Sequence, residues 1–262
     1  MGFVENYDYY WNQKADPRTN VLPFIGSPIL IPLILFSYLY FVLKCGPDFM
    51  KNRKPYNLKT FTQFYNVFQV LVNIFIVYNA ICAGWFTEIS PFCEIPDYSY
   101  TPGPLRLAHT IWFATMVKLI DLIETGVFVL RKKNKQISFL HLYHHVSTIL
   151  LAWLITKYIP VAMASFNLLV NCSVHVIMYT YYFLSTFGPN VQKAMLPYKR
   201  MITIIQMVQF VILILHNGQS LLPSCPVPKL PGLASIIVIM INFFLFYNFY
   251  KKNYKKPAQK MS

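Results

Sequence analysis

Residues 136–158 read QISFLHLYHHVSTILLAWLITKY, a run long and apolar enough to cross a bilayer as one helix. Within it, His141, His144 and His145 stand at spacings i, i+3 and i+4 and so share one helical face. Ionisable side chains are costly at membrane depth. Three imidazoles on one face therefore point to a lined cavity inside a helical bundle, and to chemistry there. A polar packing cluster between helices is the plainer alternative, and it suits one lone histidine better than three aligned ones.

The rest of the chain supplies the bundle. Of 262 residues, 56% are hydrophobic and 12% charged, with a mean hydropathy of +0.43, which is too apolar for an ordinary soluble domain. Apolar runs of about spanning length fall near 22–44, 61–86, 108–130, 136–158, 160–187, 201–222 and 231–250. The expected fold is all-α, with seven transmembrane helices in a single domain over 1–262: an N-terminal segment 1–21, a bundle 22–250 and a basic tail 251–262. The first twenty residues, with Glu5, Asp8 and Asp16, lack a basic stretch followed by an apolar core, so the first helix is expected to act as its own signal.

The net charge of +14 would suit nucleic acid, but its placement argues for a membrane instead. Lys44, Lys51, Arg53, Lys54 and Lys59 follow the first span; Arg131, Lys132, Lys133 and Lys135 the third; Lys193, Lys199 and Arg200 the fifth; Lys251, Lys252, Lys255, Lys256 and Lys260 the seventh. These are alternate connections, and they hold seventeen of the 23 basic residues against one acid, Asp48. The positive-inside bias then makes the C-terminus cytosolic and the N-terminus non-cytosolic. The connections 87–106 and 217–230 lie on the non-cytosolic side, and each holds one cysteine, Cys93 and Cys225, a pair expected to form a disulfide in an oxidising lumen. Cys45, Cys82 and Cys172 fall in or beside spans and are expected to be free, buried thiols.

Other polar groups recur at helical spacing inside the spans: Lys118, Asp121, Glu124 and Thr125 in the third; Asn167, Asn171 and His175, with Met178 and Tyr182, in the fifth; Gln206 and Gln209 in the sixth. Lipid offers them no partners, so they must pair within the bundle. A structural ion pair of Lys118 with Asp121 or Glu124 accounts for at least part of that set. Asn171-Cys172-Ser173 matches a glycosylation sequon, but its place inside a span argues against modification.

Counted from Gln136, His144 lies about 12 Å along its helix from the cytosolic end. A charged head group entering from the cytosol could rest among Lys54, Arg131, Lys132, Lys133 and Arg200, while an attached chain enters a tunnel past the histidines. Taken singly, each of these basic residues is equally an ordinary topology signal.

Five motifs run in order along the chain: Lys118-x-x-Asp121-x-x-Glu124-Thr125, Phe128-Val129-Leu130-Arg131-Lys132-Lys133, His141-x-x-His144-His145, Asn171-x-x-x-His175-x-x-Met178-Tyr179-x-Tyr181-Tyr182 and Gln206-x-x-Gln209-Phe210. Together with Asn52-Arg53-Lys54-Pro55 and Tyr65-Asn66, they resemble the very-long-chain fatty acid elongases, the ELO family of condensing enzymes, over roughly residues 50–250. One departure is visible. Asp121 precedes Glu124 where the family more often has Glu then Asp, which keeps charge and face but alters the pairing geometry.

The resemblance implies an endoplasmic-reticulum enzyme whose seven transmembrane helices enclose a substrate tunnel. It would condense a long-chain acyl-CoA with malonyl-CoA to a 3-oxoacyl-CoA two carbons longer, releasing CoA and CO2. By analogy, the acyl-accepting role falls on His144 or His175. His141 and His145 would orient or exchange protons, and a second imidazole, Asn171 or a glutamine amide would stabilise an enolate. Lys118, Asp121, Glu124, Thr125, Gln206, Gln209, Tyr179 and Tyr182 form a supporting polar network. No metal or other cofactor is expected. The implied partners are acyl-CoA, malonyl-CoA and the bilayer, with other enzymes of the elongation cycle and a second copy of the chain as candidates. A membrane di-iron desaturase or hydroxylase also uses an HxxHH box, but it needs more histidines than the six here, of which His109 and His216 lie far from the cluster. A single zinc on three of the fourth- and fifth-span imidazoles is an open alternative, without carboxylate or thiolate support beyond Cys172. A seven-helix receptor fits the helix count but explains none of the motifs. Cys172 is the alternative nucleophile, disfavoured because a thiol in apolar surroundings holds its proton.

Overall fold

The computed structural model describes residues 2–254. Its long helices are α1 Leu30–Met50, α2 Lys59–Cys82, α3 Pro102–Leu130, α4 Phe139–Tyr158, α5 Ala162–Leu184, α6 Pro189–Leu221 and α7 Lys229–Tyr254. There is no β-strand among the described residues. Six of the helices, all but α3, are long and apolar enough to cross a membrane. At 29 residues α3 has ample length, but Arg106, Lys118, Asp121 and Glu124 break its apolar character. The expectation of seven spans is thus met for six helices, and α3 is set apart by the charges it carries. Lys255, Lys256 and Lys260 of the expected basic tail lie outside the described residues.

Neighbour relations define the architecture. Helix α3 packs on α4 and on α2, α2 most extensively on α5, α5 on α6, α6 on α7, and α7 back on α4. Those six close a ring. Helix α1 stands outside it, with Ile31, Leu35, Tyr38 and Val42 seated against Leu122 and Val129 of α3 and Ile149 and Trp153 of α4. The expected enclosure by seven helices is therefore an enclosure by six. Because lipid gives no hydrophobic drive between helices, such contacts rest on close packing and hydrogen bonds. Gly46 shows how close: a Cβ there would meet Val129 Cγ1 at 2.7 Å, so only glycine lets α1 approach α3.

Local signals set the helix starts. Proline opens α3 and α6, where the missing N–H is one the helix leaves unpaired anyway. The Ser138 side chain caps α4 by accepting from the His141 N–H at 3.2 Å, which fixes the rotational phase of the histidines. Since α4 begins at Phe139 rather than Gln136, His144 lies about 8 Å along it instead of 12 Å.

The N-terminal segment, expected only as a polar lumenal stretch, is a folded cap at the end of the ring remote from Ser138. Trp11 donates to the Gly26 carbonyl at 2.8 Å and packs against Trp153, 5.5 Å between ring centres. The Asp16 N–H donates to the Lys157 carbonyl at 2.7 Å, and Thr19 donates to the Thr156 carbonyl. The buried Arg18–Asp16 pair, 2.7 Å apart, lets Arg18 also donate to the carbonyls of Asp97 and Ser99 at 3.3 and 3.1 Å. Lys157, fully buried, donates to Asn20 Oδ1 at 2.6 Å and lies 4.2 Å over the Trp11 ring.

At the same end, Cys93 of the α2–α3 connection is bonded to Cys225 of the α6–α7 connection, with Cα atoms 5.7 Å apart and 132 residues between them in sequence. Of the three free cysteines only Cys172 is buried; Cys45 and Cys82 are exposed on the outer face of the bundle, because neither helical phase nor an end position encloses them. The disulfide is expected to act as a clamp between connections rather than a condition for insertion. Peptide mapping of non-reduced protein should recover Cys93 linked to Cys225. Cys93→Ser should lower unfolding stability in detergent by at most about 2–5 kcal/mol, less if insertion already restricts the unfolded chain. Two free thiols in freshly isolated membranes would contradict the arrangement.

Candidate active site

The three histidines of α4 face into the ring and each meets a different wall. His141 Nε2 lies 2.7 Å from Thr125 Oγ1 of α3, whose hydroxyl is 2.9 Å from the Tyr38 hydroxyl of α1. His145, buried, sits edge-on to His141 and His144, with ring centres 4.4 and 5.8 Å away. His144 Nδ1 lies 3.2 Å from Asn242 Oδ1 of α7, and its ring packs edge-on against Phe246. The Asn242 amide nitrogen donates to the Val238 carbonyl at 2.9 Å and to Ser147 Oγ at 3.3 Å, so its oxygen is the end that faces His144. An amide oxygen only accepts. Nδ1 of His144 must then carry the proton, which leaves the Nε2 lone pair free.

A second polar chain crosses from α3 to α5 and α2. Lys118 Nζ donates to Asp121 Oδ2 and to His175 Nδ1, both at 3.2 Å. An ammonium has no lone pair, so Nδ1 of His175 is the acceptor and a neutral His175 carries its proton on Nε2. Asp121, buried, accepts a further bond from Gln69 Nε2 at 2.8 Å. Gln69 Nε2 also donates to the Tyr65 hydroxyl at 3.0 Å, and Asn73 Nδ2 donates to the Gln69 carbonyl at 2.8 Å. Tyr179 closes the group, edge-on to both His175 and Tyr65 at 5.6 and 6.1 Å. The two histidines that the resemblance singled out are thus held in opposite tautomers by neighbours of opposite hydrogen-bonding character.

The remaining expected residues are placed unevenly. Tyr182 packs edge-on against Tyr179 at 6.0 Å, Gln206 donates to Met178 Sδ at 3.3 Å, and Gln209 is buried. Asn171 is half-buried and makes no side-chain hydrogen bond among the described residues, whereas Asn167 pairs with Asn217 of α6 at 2.7 Å, away from the histidines. Cys172 packs with Ile76, Ala114 and Val117 as an apolar side chain. His216 stacks on Phe166 and contacts the Met163 carbonyl, and His109 is exposed. Of the basic residues, Lys54, Lys132 and Lys133 are exposed and Arg131 reaches Thr62 Oγ1 at 3.4 Å, while Arg200 donates twice to the Tyr250 hydroxyl at 3.0 and 2.8 Å. No hydrogen bond joins Arg200 to the α3 set among the described residues.

Three partners were missed by reading the sequence: Asn242, which has no neighbouring motif, Gln69, one turn beyond Tyr65-Asn66, and Tyr38, which lies on a helix outside the ring. The absence of carboxylate support for a metal is corrected as well. Glu124 brings a carboxylate oxygen to within 4.8 Å of ligand atoms of His141 and His145, a donor set of the kind zinc accepts. His141 Nε2, however, is already engaged by Thr125.

With this geometry in view, sequence relationships identify the class. The ELO: GNS1/SUR4 family model matches residues 23–262, and the chain belongs to that family. It is 39% identical over 259 residues to very long chain fatty acid elongase 1 of Mus musculus, covering 98% of this chain and 92% of that protein. Against the Homo sapiens elongase 1 the identity is 41% over 246 residues, 93% of this chain and 88% of that protein. Against very long chain fatty acid elongase 7 of Rattus norvegicus it is 39% over 255 residues, 97% and 90%.

The shared Lys118 sets a stability test. Asp121→Asn should leave the ammonium short of its counter-charge and destabilise the protein by about 3–5 kcal/mol, as for other half-broken buried pairs. Pairing Lys118→Met with Asp121→Leu should recover most of that loss without restoring activity, as read by thermal unfolding in detergent. Equal stability of Asp121→Asn and wild type would show that the pair is not buried in the membrane-embedded protein.

Proposed function

We propose that this chain is the condensing enzyme of fatty acid elongation, joining a long-chain acyl-CoA to malonyl-CoA within a seven-span bundle of the endoplasmic-reticulum membrane, C-terminus cytosolic. The observation that carries this reading is the pair of opposed imidazoles, His144 with a free Nε2 lone pair and His175 with an Nε2–H. Helix α3 is the seventh span, with Lys118 paired to Asp121 on the same helix and Asp121 held by Gln69 from across the ring. The CoA moieties rest among Lys54, Arg131, Lys132, Lys133 and Arg200 at the cytosolic ends of the helices.

The chemistry follows from the tautomers. Nε2 of His144 attacks the acyl thioester carbonyl, the C–S bond breaks, and CoA leaves as thiolate. The acyl group remains on an imidazole whose Nδ1 proton is held by Asn242. Malonyl-CoA then loses CO2, and the electron pair of that C–C bond becomes an enolate whose oxygen accepts from the Nε2–H of His175. Lys118, bonded to Nδ1 of the same ring, strengthens that donor. The enolate carbon attacks the acyl carbonyl, the C–N bond breaks, and His144 is regenerated beside a 3-oxoacyl-CoA. No step transfers an electron, so the reaction as proposed calls for no redox metal. His141 and His145 hold His144 in place, and the acyl chain extends about 17 Å along α4 to the cavity lined by Ile155, Ile159, Asn167, Asn217 and Gly232.

The two roles separate in experiment. His144→Ala and His175→Ala should each lose at least about 10²-fold in condensation at normal abundance. Given acyl-CoA alone, His175→Ala should still release up to one equivalent of CoA, and His144→Ala none. Cys172→Ala should stay active, and chelator should spare turnover. CoA release by His144→Ala, or loss of turnover on chelation with recovery on metal return, would overturn the assignment.

A further inference from the structure

On the outer face of the ring, remote from the histidines, a groove runs between α2 and α3, lined by Phe75, Asn79, Pro102, Arg106, His109 and Phe113. We propose that it binds one anionic phospholipid of the surrounding bilayer, with the phosphate on Arg106 and His109 and an acyl chain along Phe75 and Phe113. The first ground is the order of polarity with depth. Arg106 lies about 6 Å along α3 from its first residue, His109 about 10 Å and Phe113 about 16 Å. On α2, Asn79 sits near the terminal Cys82 and Phe75 one turn deeper. Polar groups thus flank the helix ends and aromatic ones the hydrocarbon, which is the order of a lipid from head to tail.

The second ground is charge. Arg106 Nε donates to Asn79 Oδ1 at 3.1 Å, which tethers the guanidinium to the groove and limits its freedom to reach outward to water. Its two terminal nitrogens have no hydrogen-bond partner among the described residues, and no carboxylate lines the groove. The guanidinium, 5.8 Å from the Tyr78 ring, has no carboxylate partner among the described residues, and its fork matches two phosphate oxygens. His109, exposed beside it, adds a donor. The floor is fixed: Phe75 and Phe113 pack edge-on at 5.5 Å, and Trp112 donates to the Pro23 carbonyl at 3.1 Å. A water-soluble anion would leave the aromatic wall unused, and a second copy of the chain would set apolar surface against Arg106.

Native mass spectrometry of the intact protein, taken from mixed micelles of phosphatidylcholine with phosphatidylserine or phosphatidylinositol, tests this. One anionic phospholipid should be retained per chain in preference to phosphatidylcholine. Arg106→Gln should cut retention about tenfold, Arg106→Lys by less, and Phe113→Ala should weaken it while leaving the charge in place. Intact Cys93–Cys225 linkage and a monodisperse profile establish folding, and His109→Gln serves if Arg106→Gln fails that check. Equal retention by wild type and Arg106→Gln would overturn the proposal. So would displacement of the lipid by inorganic phosphate with no effect of Phe113→Ala, which indicates a free-anion site, or a dimer that forms in place of lipid retention.

Discussion

Lys118 is the point on which the interior depends. A lysine inside a helical ring needs an anion and further acceptors, since neither lipid nor bulk water is at hand. Asp121 supplies the charge from the next turn of the same helix, and His175 supplies a lone pair from α5. Gln69 then satisfies the second carboxylate oxygen, which ties in α2. One ammonium therefore joins three of the six ring helices, and the same bond decides which nitrogen of His175 carries its proton. Structure and proposed chemistry are not separable at this residue.

The opposite wall obeys the same constraint with uncharged groups. The Ser138 cap starts α4 in one phase only, and that phase aims His141 at Thr125, His144 at Asn242 and His145 between them. Asn242 is held by two bonds of its own and presents an acceptor to His144. The ring thus brings an imidazole with a free lone pair and an imidazole with an N–H into one interior. The proposed acyl transfer and enolate stabilisation use that pairing.

Much of this was legible in the sequence because charged and imidazole side chains within apolar runs are conspicuous. Helical spacing alone put His141, His144 and His145 on one face, and Lys118, Asp121, Glu124 and Thr125 on another. Charge bias put Cys93 and Cys225 on one side of the membrane, where the structure bonds them. The uncharged partners were not legible. Asn242 and Gln69 are ordinary amides in apolar helices until the ring closes, and their roles depend on which helix lies opposite. The ring itself was hidden for the same reason, since hydropathy counts helices without ordering them, and α1 looks like any other span. The N-terminal cap was missed because its bonds run to the far end of α4 and to the α2–α3 connection, more than a hundred residues away in several cases.

The most direct measurement is the site of the covalent intermediate. Wild-type protein incubated with acyl-CoA but no malonyl-CoA, quenched and digested, should yield the α4 peptide bearing one acyl group on His144, lost again when malonyl-CoA is added before the quench. An acyl group on Cys172 or on His175 instead, or no adduct under conditions where CoA is released, would contradict the account.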